Sequence, residues 1–273
     1  MVKRVNKIII AILFYGIGII FLFPVLWIIS VSLRSKKDVF SVMFFTKELH
    51  FDNYITAWQT FGFSRLFLNS AAVTGVSIVL TLIIASLAGY SFSKLKYKGS
   101  NIVFLMILLG IMIPQAGILV PYFSMMRAMG LYNTLIALVF SYVAFGLPIS
   151  VLIFRGFFMG IPEELIEAAR IDGYSEIGIF TKICIPISKP AFATVIILLF
   201  VNNWNEFILA LVLLRDEPLY TLPLGIARYI GQWDSPWHLV AAGVIISVIP
   251  VTVAYLLLQN QFVKGLTEGA VKG

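Results

Sequence analysis

Long apolar runs make up most of the chain, and short polar segments separate them. The hydrocarbon core of a membrane is about 30 Å thick, and a helix needs roughly 20 apolar residues to cross it. Runs of that length predict six membrane-spanning helices. They lie at about residues 8–33, 66–93, 102–124, 135–158, 191–214 and 239–262.

The first run follows three basic residues, a feature that it shares with secretory signal peptides. The apolar region of a signal peptide has about 7–15 residues and ends near a cleavage site of small residues. This run is longer, and no such site follows it. We therefore predict an uncleaved first helix.

The composition indicates that lipid, rather than water, surrounds this chain. Hydrophobic residues make up 60% and charged residues 12% of it, whereas soluble domains contain about 45–50% apolar and about 25% charged residues. A chain with so few polar side chains cannot cover an apolar core in water. No internal repeat or linker divides the sequence, which predicts one all-α membrane domain over residues 1–273.

The sequence lacks the residue sets of a catalytic or metal site. The histidines His50 and His238 lie far apart, and the single cysteine, Cys184, has no partner at ligand spacing. No G-x-x-x-x-G-K-[ST] segment is present to hold nucleotide phosphates. The net charge of +7 comes from short basic clusters between apolar runs, which favours topology control over nucleic-acid binding. We expect a non-catalytic chain that binds no metal, cofactor or nucleic acid.

Basic residues indicate which ends of the spans face the cytoplasm. Cytoplasmic loops of membrane proteins carry more lysine and arginine than loops on the other side. Lys94, Lys96 and Lys98 crowd into the short segment after the second span, and three basic residues precede the first. We therefore predict that the N- and C-termini are both cytoplasmic.

Two prolines interrupt the third span. Pro114 and Pro121 each lack an N–H, so each removes a helical hydrogen bond and permits a kink. Freed carbonyls at such a kink are tolerated where they face protein or a water-filled cavity. A bend next to Gln115 suits a gated path through the membrane, and a static packing kink explains it equally well.

The segment at 160–190, called the 160–190 loop below, is a long polar stretch that predicts two short amphipathic helices. A proline followed by two glutamates is typical of a helix start, and Gly173 is suited to a left-handed helix end. Ser175 is suited to cap the second helix, which we expect to stop at Pro186 and Pro190.

Apolar residues predict which faces these two helices bury. Many membrane proteins lay amphipathic helices along the bilayer simply as packing elements, so the pattern alone leaves their role open. The expected buried sets are Leu165, Ala168 and Ala169 on the first helix, and Ile177, Phe180 and Ile183 on the second.

A motif at fixed spacing lies inside this loop. Glu-Ala-Ala at 167–169, a glycine at 173 and Ile-Cys-Ile-Pro at 183–186 resemble the E-A-A-x3-G-x9-I-x-L-P loop of ABC importer permeases. The departure is Ile185, where leucine is usual. In that family the loop forms a coupling helix that docks on the ATP-hydrolysing subunit. The resemblance implies this role for Glu167, Ala168, Ala169, Arg170, Asp172, Gly173, Ile183 and Pro186.

The resemblance covers nearly the whole chain and points to the carbohydrate-uptake branch of the family. Asn69-Ser70 opens the second span as in that branch, and residues 265–273 are similar to the G-L-T-x-G-A-V-K-G ending of maltose-type permeases. In that type, the tail of the second permease reaches toward the interface between the ATPase subunits. The resemblance implies this contact for Lys264, Gly265, Gly269 and Lys272.

A polar cluster interrupts the fifth span. A carboxylate at this depth is costly and normally faces the bundle interior or water, and amides beside an aromatic ring are suited to sugar hydroxyls. Helix packing or contact with a partner subunit also explains the cluster, and in the maltose type the other permease makes most sugar contacts. The possible substrate path is Gln115, Asn202, Asn203, Trp204, Asn205 and Glu206.

The resemblance implies a six-span type I ABC importer permease that works by alternating access in a bacterial-type cytoplasmic membrane. It implies a second, homologous permease subunit, two ATP-binding subunits that hold ATP and Mg²⁺, an external sugar-binding protein and membrane lipid as partners. Two alternatives stay open: a proton-coupled secondary transporter that uses Glu206, and a type I importer of a non-sugar cargo. No pattern in the sequence specifies the sugar.

Overall fold

Every regular element in the described part of the chain is helical. The computed structural model describes residues 2–270 apart from 45, 47, 96, 232 and 233, and side chains in that range apart from those of 2–9, 12, 258 and 260–270. The helices are α1 (Val2–Ser32), α2 (Asp52–Thr60), α3 (Phe63–Lys94), α4 (Ser100–Met112), α5 (Leu119–Ala128), α6 (Leu135–Met159), α7 (Glu163–Ile171), α8 (Glu176–Ile179), α9 (Ile185–Ile187), α10 (Lys189–Trp204), α11 (Ile208–Leu213), α12 (Leu222–Ala227) and α13 (Trp237–Ala270).

Four of these helices are long and apolar enough to cross a membrane. Two bent pairs of helices also qualify when each pair is counted as one span, which gives up to six crossings. This is the all-α membrane architecture that the sequence predicts. The apolar parts of the four unbroken spans are Leu13–Ser32, Phe63–Lys94, Leu135–Met159 and Trp237–Leu257.

The apolar run at 102–124 forms two helices with a break between them, which corrects the prediction of a single, kinked helix there. Its two parts, Ser100–Met112 and Gln115–Ala128, meet at an angle of 91°. A residue that precedes proline avoids the helical conformation, and Ile113 accordingly is extended, with a ψ of 114°. Pro121 lies in the first turn of α5, where its missing N–H costs no hydrogen bond, so it makes no kink.

The fifth span is also interrupted, which corrects the prediction of one helix over 191–214. Its first helix, α10, ends at Trp204 and its second, α11, begins at Ile208. A second bend, of 76°, lies at Ser188, between the helical segment Glu176–Ile187 and α10. The three residues between α10 and α11 include Glu206, which binds the start of α11, as described below.

The described chain forms two compact units, one of residues 65–224 with 250–273 and one of residues 1–64 with 225–249. In the first unit, α3 and α6 approach closely at Gly89. A Cβ atom added there would lie 2.6 Å from Cβ of Phe154 and 2.9 Å from the backbone N of Arg155. Aromatic and aliphatic side chains of this unit form a core that includes Tyr90, Phe154, Phe158, Ile166, Phe180 and Val195.

In the second unit, a buried arginine fixes the segment that follows α1. The guanidinium of Arg34 donates to the carbonyls of Val39 at 3.1 Å, Ser41 at 2.8 Å and Met43 at 2.7 Å. It also lies 4.8 Å from the ring centre of Trp27. Backbone carbonyls therefore solvate this charge in place of water.

Candidate functional site

The first half of the 160–190 loop is α7, which ends at a left-handed glycine. The N–H of Gly173 donates to the carbonyl of Arg170 at 3.1 Å, and the N–H of Tyr174 donates to that of Ala169 at 3.0 Å. Gly173 has a φ of +84°, the conformation predicted from the sequence. This helix ending turns the chain sharply before α8.

The second half of the loop is a continuous helical segment capped by Ser175. The Ser175 Oγ accepts a hydrogen bond from the N–H of Gly178 at 3.2 Å, as predicted. The segment then runs through a π-helical stretch, Phe180–Cys184, into α9. Pro186 and Pro190 each lie in the first turn of a helix, so they do not stop the segment as expected; the bend at Ser188 does.

The buried faces of the loop helices agree only in part with the predicted ones. On α7, Ile166 and Ala169 are buried, whereas Leu165 and Ala168 are exposed. The spacing of small and apolar residues permits either face, and packing against the core of the unit selects the face with Ile166. In the second loop helix, Phe180 is buried and Ile183 is half-buried as predicted, but Ile179 is buried in place of Ile177, which is 74% exposed.

An outward surface of α7 combines charges, a small residue and a large apolar one. Glu167, Ala168, Arg170 and Asp172 are exposed, and Ile171 is 86% exposed. Among the other loop residues predicted for coupling, Gly173 and Pro186 are exposed, Ile183 is half-buried and Ala169 faces the core.

Two residues of α3 bind this loop, and neither was identified from the sequence as part of a site. The Nζ of Lys94 donates to the carbonyl of Ile161 at 2.7 Å and lies 3.3 Å from Oε2 of Glu163. The hydroxyl of Tyr90 donates to Oε2 of Glu176 at 2.6 Å. These pairs are separated by more than sixty positions in the chain, so no local pattern predicts them.

A salt bridge joins the two halves of the loop through the same glutamate. The Nε of Arg170 donates to Oε1 of Glu176 at 2.7 Å. This hydrogen bond raises the pKa of the Arg170 guanidinium, a group that is charged at physiological pH in any environment of this kind.

The residues predicted to line a path in the fifth span are not all on one surface. Trp204 is buried, and its ring lies 5.3 Å from the ring centres of both Phe67 and Phe200. Asn203 is also buried, whereas Asn202 and Asn205 are exposed. Gln115, at the break in the third span, is half-buried.

Glu206 binds the first turn of α11. Its carboxylate accepts hydrogen bonds from the N–H groups of Leu209 at 2.6 Å and Ala210 at 3.1 Å, and from the hydroxyl of Tyr142 at 3.1 Å. The first N–H groups of a helix have no intrahelical partner. The carboxylate therefore stabilises the helix that restarts after the break.

The residues of the predicted tail contact and one lysine of the basic cluster lie outside the described side chains. Lys264, Gly265 and Gly269 lie within α13, in the region whose side chains are not described. Lys96 and Lys272 lie outside the described residues. Among the residues that the structure does describe, no three metal-ligating side chains lie close enough to hold an ion.

Comparisons with known proteins identify the family. Residues 77–268 match the family model described as binding-protein-dependent transport system inner membrane component. The trehalose/maltose transport system permease protein MalG of Thermococcus litoralis is 36% identical, with 99% of this chain and 98% of that protein covered. The arabinooligosaccharides transport system permease protein AraQ of Halalkalibacterium halodurans is 35% identical, with coverage of 95% and 94%.

A solved structure has the same fold over almost the full length. It is the crystal structure of a bacterial ABC transporter involved in the import of the acidic polysaccharide alginate, and the chain that matches has 26% sequence identity and a TM-score of 0.85. The match covers 96% of this chain and 98% of that chain. This chain belongs to the family of binding-protein-dependent transport system inner membrane components.

Proposed function

We propose that this chain is a transmembrane permease subunit of an ATP-driven importer of sugars that depends on an external binding protein. The main support for a sugar as the cargo is that several sugar permeases are similar to this chain over nearly its full length. Permeases named for trehalose, for trehalose and maltose, and for arabinooligosaccharides match 92–99% of the chain. Because these relatives are named for different sugars, we propose only the class of cargo, an oligosaccharide or related sugar.

The outward surface of α7 is proposed as the contact with an ATP-hydrolysing subunit. Close approach of another protein favours a small residue such as Ala168, and charges beside it fix the register of the contact. A large apolar side chain as exposed as Ile171 is typical of a surface that a partner covers. Support for this role comes from these residues and from the motif that contains them.

The chain connections give α7 a mechanical role in this proposal. Only residues 160–162 separate α6 from α7, and the helical segment after Gly173 leads directly into α10. A displacement of α7 by the ATPase would therefore reach two membrane spans. Closing and opening of the ATPase pair would alternate the access of the cargo path between the two sides.

The proposed assembly contains this chain, a second homologous permease, two ATP-binding subunits and an extracytoplasmic sugar-binding protein. ATP and Mg²⁺ belong to the ATP-binding subunits, and this chain is proposed to catalyse no reaction. The complex lies in a bacterial-type cytoplasmic membrane, with both termini of this chain in the cytoplasm. The basic residues after the second span support that orientation.

Within the predicted substrate path, we propose that Gln115, Asn202 and Asn205 are the residues available to the cargo. Their side chains are at least partly exposed, and amides donate and accept the hydrogen bonds that sugar hydroxyls require. Asn203, Trp204 and Glu206 are proposed to support the fold of the fifth span instead.

The test is ATP hydrolysis and sugar uptake by the whole complex in lipid vesicles, with its binding protein and a panel of sugars. We expect one sugar to stimulate hydrolysis. In Gly173→Asp, an aspartate must adopt a φ of +84°, which disfavours the sharp turn after α7. The complex should still assemble, but stimulation and uptake should fall about 5- to 30-fold, since a strained turn costs about 1–2 kcal/mol.

Gly99→Asp is the matched control. Gly99 has a φ of +85° and open space around it, as Gly173 does, but it lies in the turn between α3 and α4. This variant should keep stimulated hydrolysis and uptake. If both variants lose uptake equally, backbone strain rather than coupling explains the effect; if the chain assembles with no ATPase, the proposed function is wrong.

A further inference from the structure

We propose that contacts between α3 and the 160–190 loop carry the motion of α7 to α3 during transport. The contacts are made by Tyr90 and Lys94 on α3 and by Glu163, Arg170 and Glu176 in the loop, and together we call them the α3–loop brace. This inference rests on the proposed coupling role of α7 and assigns positioning residues to it.

Lys94 fixes the last turn of α3 to the start of α7. Its side chain is only 5% exposed, although lysine is normally among the most exposed residues. Its Nζ binds the carbonyl of Ile161 and the carboxylate of Glu163, which lie on either side of the point where the chain leaves α6 and enters α7. A buried ammonium needs such partners, since its desolvation is otherwise costly.

Tyr90 provides a second contact one helical turn earlier. Residues four apart lie on the same face of a helix, so Tyr90 and Lys94 present their polar groups on one side of α3. Tyr90 binds Glu176, the first residue of α8, and the other oxygen of that carboxylate binds Arg170 near the end of α7. One carboxylate thus joins α3, α7 and α8.

The brace bridges the part of the loop that is easiest to bend. Between α7 and α8 the chain passes through Gly173, which has a left-handed backbone and no side chain nearby. Without the contacts at Glu176, a displacement of α7 would be absorbed by rotation about this glycine. With the contacts at Glu176 in place, α7, α8 and the end of α3 move together. The span formed by α3 then moves with those of α6 and α10, which the chain joins directly to the loop.

The same contacts offer variants that separate positioning from packing. The ring of Tyr90 packs 5.3 Å from that of Phe180 and 6.1 Å from that of Phe158. Tyr90→Phe keeps this packing and removes only the hydroxyl that binds Glu176. Glu176→Gln keeps the size of the side chain and removes the charge that binds Arg170.

The experiment compares these variants in the whole complex in lipid, with its binding protein and stimulating sugar. Three quantities are measured: subunit ratio, stimulated ATP hydrolysis and sugar uptake. We expect Tyr90→Phe to assemble normally and to lower the sugar imported per ATP about tenfold, the size expected for loss of a hydrogen bond to a charged group. Tyr97→Phe, which removes an exposed hydroxyl from the segment between α3 and α4, should leave that ratio unchanged.

A double variant and hydrogen exchange complete the test. Glutamine at 176 could still accept from the Tyr90 hydroxyl, so the double variant uses alanine there. If Tyr90 and Glu176 act through one contact, Tyr90→Phe/Glu176→Ala should import no less sugar per ATP than Glu176→Ala alone. Backbone amides of residues 173–178 should exchange faster in Tyr90→Phe than in the natural chain, because the bend is freed.

The possible failures are distinct. An unchanged ratio of sugar to ATP and unchanged exchange in Tyr90→Phe, in a complex whose natural form works, overturn the brace alone. Uptake and hydrolysis that fall only in proportion to the amount of assembled complex also overturn it, because they indicate lost stability rather than lost coupling. A natural complex that no sugar and binding protein stimulate overturns the proposed function, and the coupling role of the brace with it.

Discussion

Three charged side chains in apolar surroundings are bound by backbone groups. Arg34 donates to four backbone carbonyls of residues 39–44, Lys94 donates to the carbonyl of Ile161, and Glu206 accepts from two amides of α11. Charges removed from water are stable only where hydrogen bonds replace hydration. Each of these residues therefore holds a chain segment in place, and Glu206 in particular does so at a break in a span.

This role of Glu206 leads to a stability prediction. Glu206→Ala leaves two first-turn amides of α11 and the Tyr142 hydroxyl without their acceptor. We expect a loss of about 1–3 kcal/mol in the free energy of unfolding and a lower midpoint of thermal unfolding of the purified complex. Glu206→Gln keeps one acceptor oxygen and should be intermediate. Asn202→Ala, at an exposed position in α10, should change the midpoint least.

The same residue decides between the proposed importer and a proton-coupled transporter. A carboxylate held by three hydrogen bonds is poorly suited to exchange protons during each cycle. We expect sugar uptake into vesicles supplied with constant ATP to be unchanged when the proton gradient is collapsed. Uptake that stops on collapse, and survives without ATP, would establish proton-coupled transport and contradict the proposed ATP-driven importer.

At the scale of helices, the apolar runs predict where helical segments lie but not where they break. A run such as residues 191–214 stays apolar across its interruption, and hydropathy contains no information about hydrogen bonds. The proline that follows Ile113 predicts a break at that position. Nothing in the local sequence predicts that the two helices meet at 91°. The restart of α11 depends on a carboxylate three residues away, a pairing visible only in the structure.

The loop shows the same limit in its choice of buried faces. Its helix ends at Gly173 and Ser175 follow from residue type, because backbone conformation and capping are local properties. Which of Ala168 and Ala169 is buried depends on the neighbouring spans. The contacts of Tyr90 and Lys94 with the loop also depend on how the spans pack. From the sequence alone, Lys94 therefore indicates only the orientation of the chain in the membrane.

Close packing of α3 against α6 gives a prediction at this scale. In Gly89→Ala the new methyl group would lie 2.6 Å from Cβ of Phe154 and 2.9 Å from a backbone nitrogen, so the helices must separate. Overpacking of this kind typically costs about 1–3 kcal/mol, and we expect a lower midpoint of thermal unfolding. Gly75→Ala in the same helix adds a methyl group with no atom within 4 Å and should leave the midpoint unchanged or slightly raised.

For the whole molecule, the spans differ in how much of their surface this chain covers. In the apolar part of α6, 50% of the residues are buried, whereas in that of α1 only 6% are. Long apolar helices left this open must contact lipid or another protein. A second permease subunit, as proposed, would cover part of this surface.

The number of crossings and their direction can be decided at the two ends of the third span. A pair of helices bent by 91° is either one broken crossing or a re-entrant segment that returns to the same side. Lys98 precedes this pair and Met129 follows it, and both are exposed. Because the native Cys184 is buried, cysteines introduced at these two positions can be labelled selectively by a maleimide that does not cross membranes.

We expect Met129→Cys to react in intact spheroplasts and Lys98→Cys to react only after the membrane is opened. That result requires one crossing between the two residues and places the basic segment after α3 in the cytoplasm, as the positive-inside rule predicts. If neither reacts until the membrane is opened, the bent pair is re-entrant and the chain makes fewer than six crossings. If Lys98→Cys alone reacts from outside, the crossing stands but the orientation is reversed, and α7 then lies where no cytoplasmic ATPase can reach it.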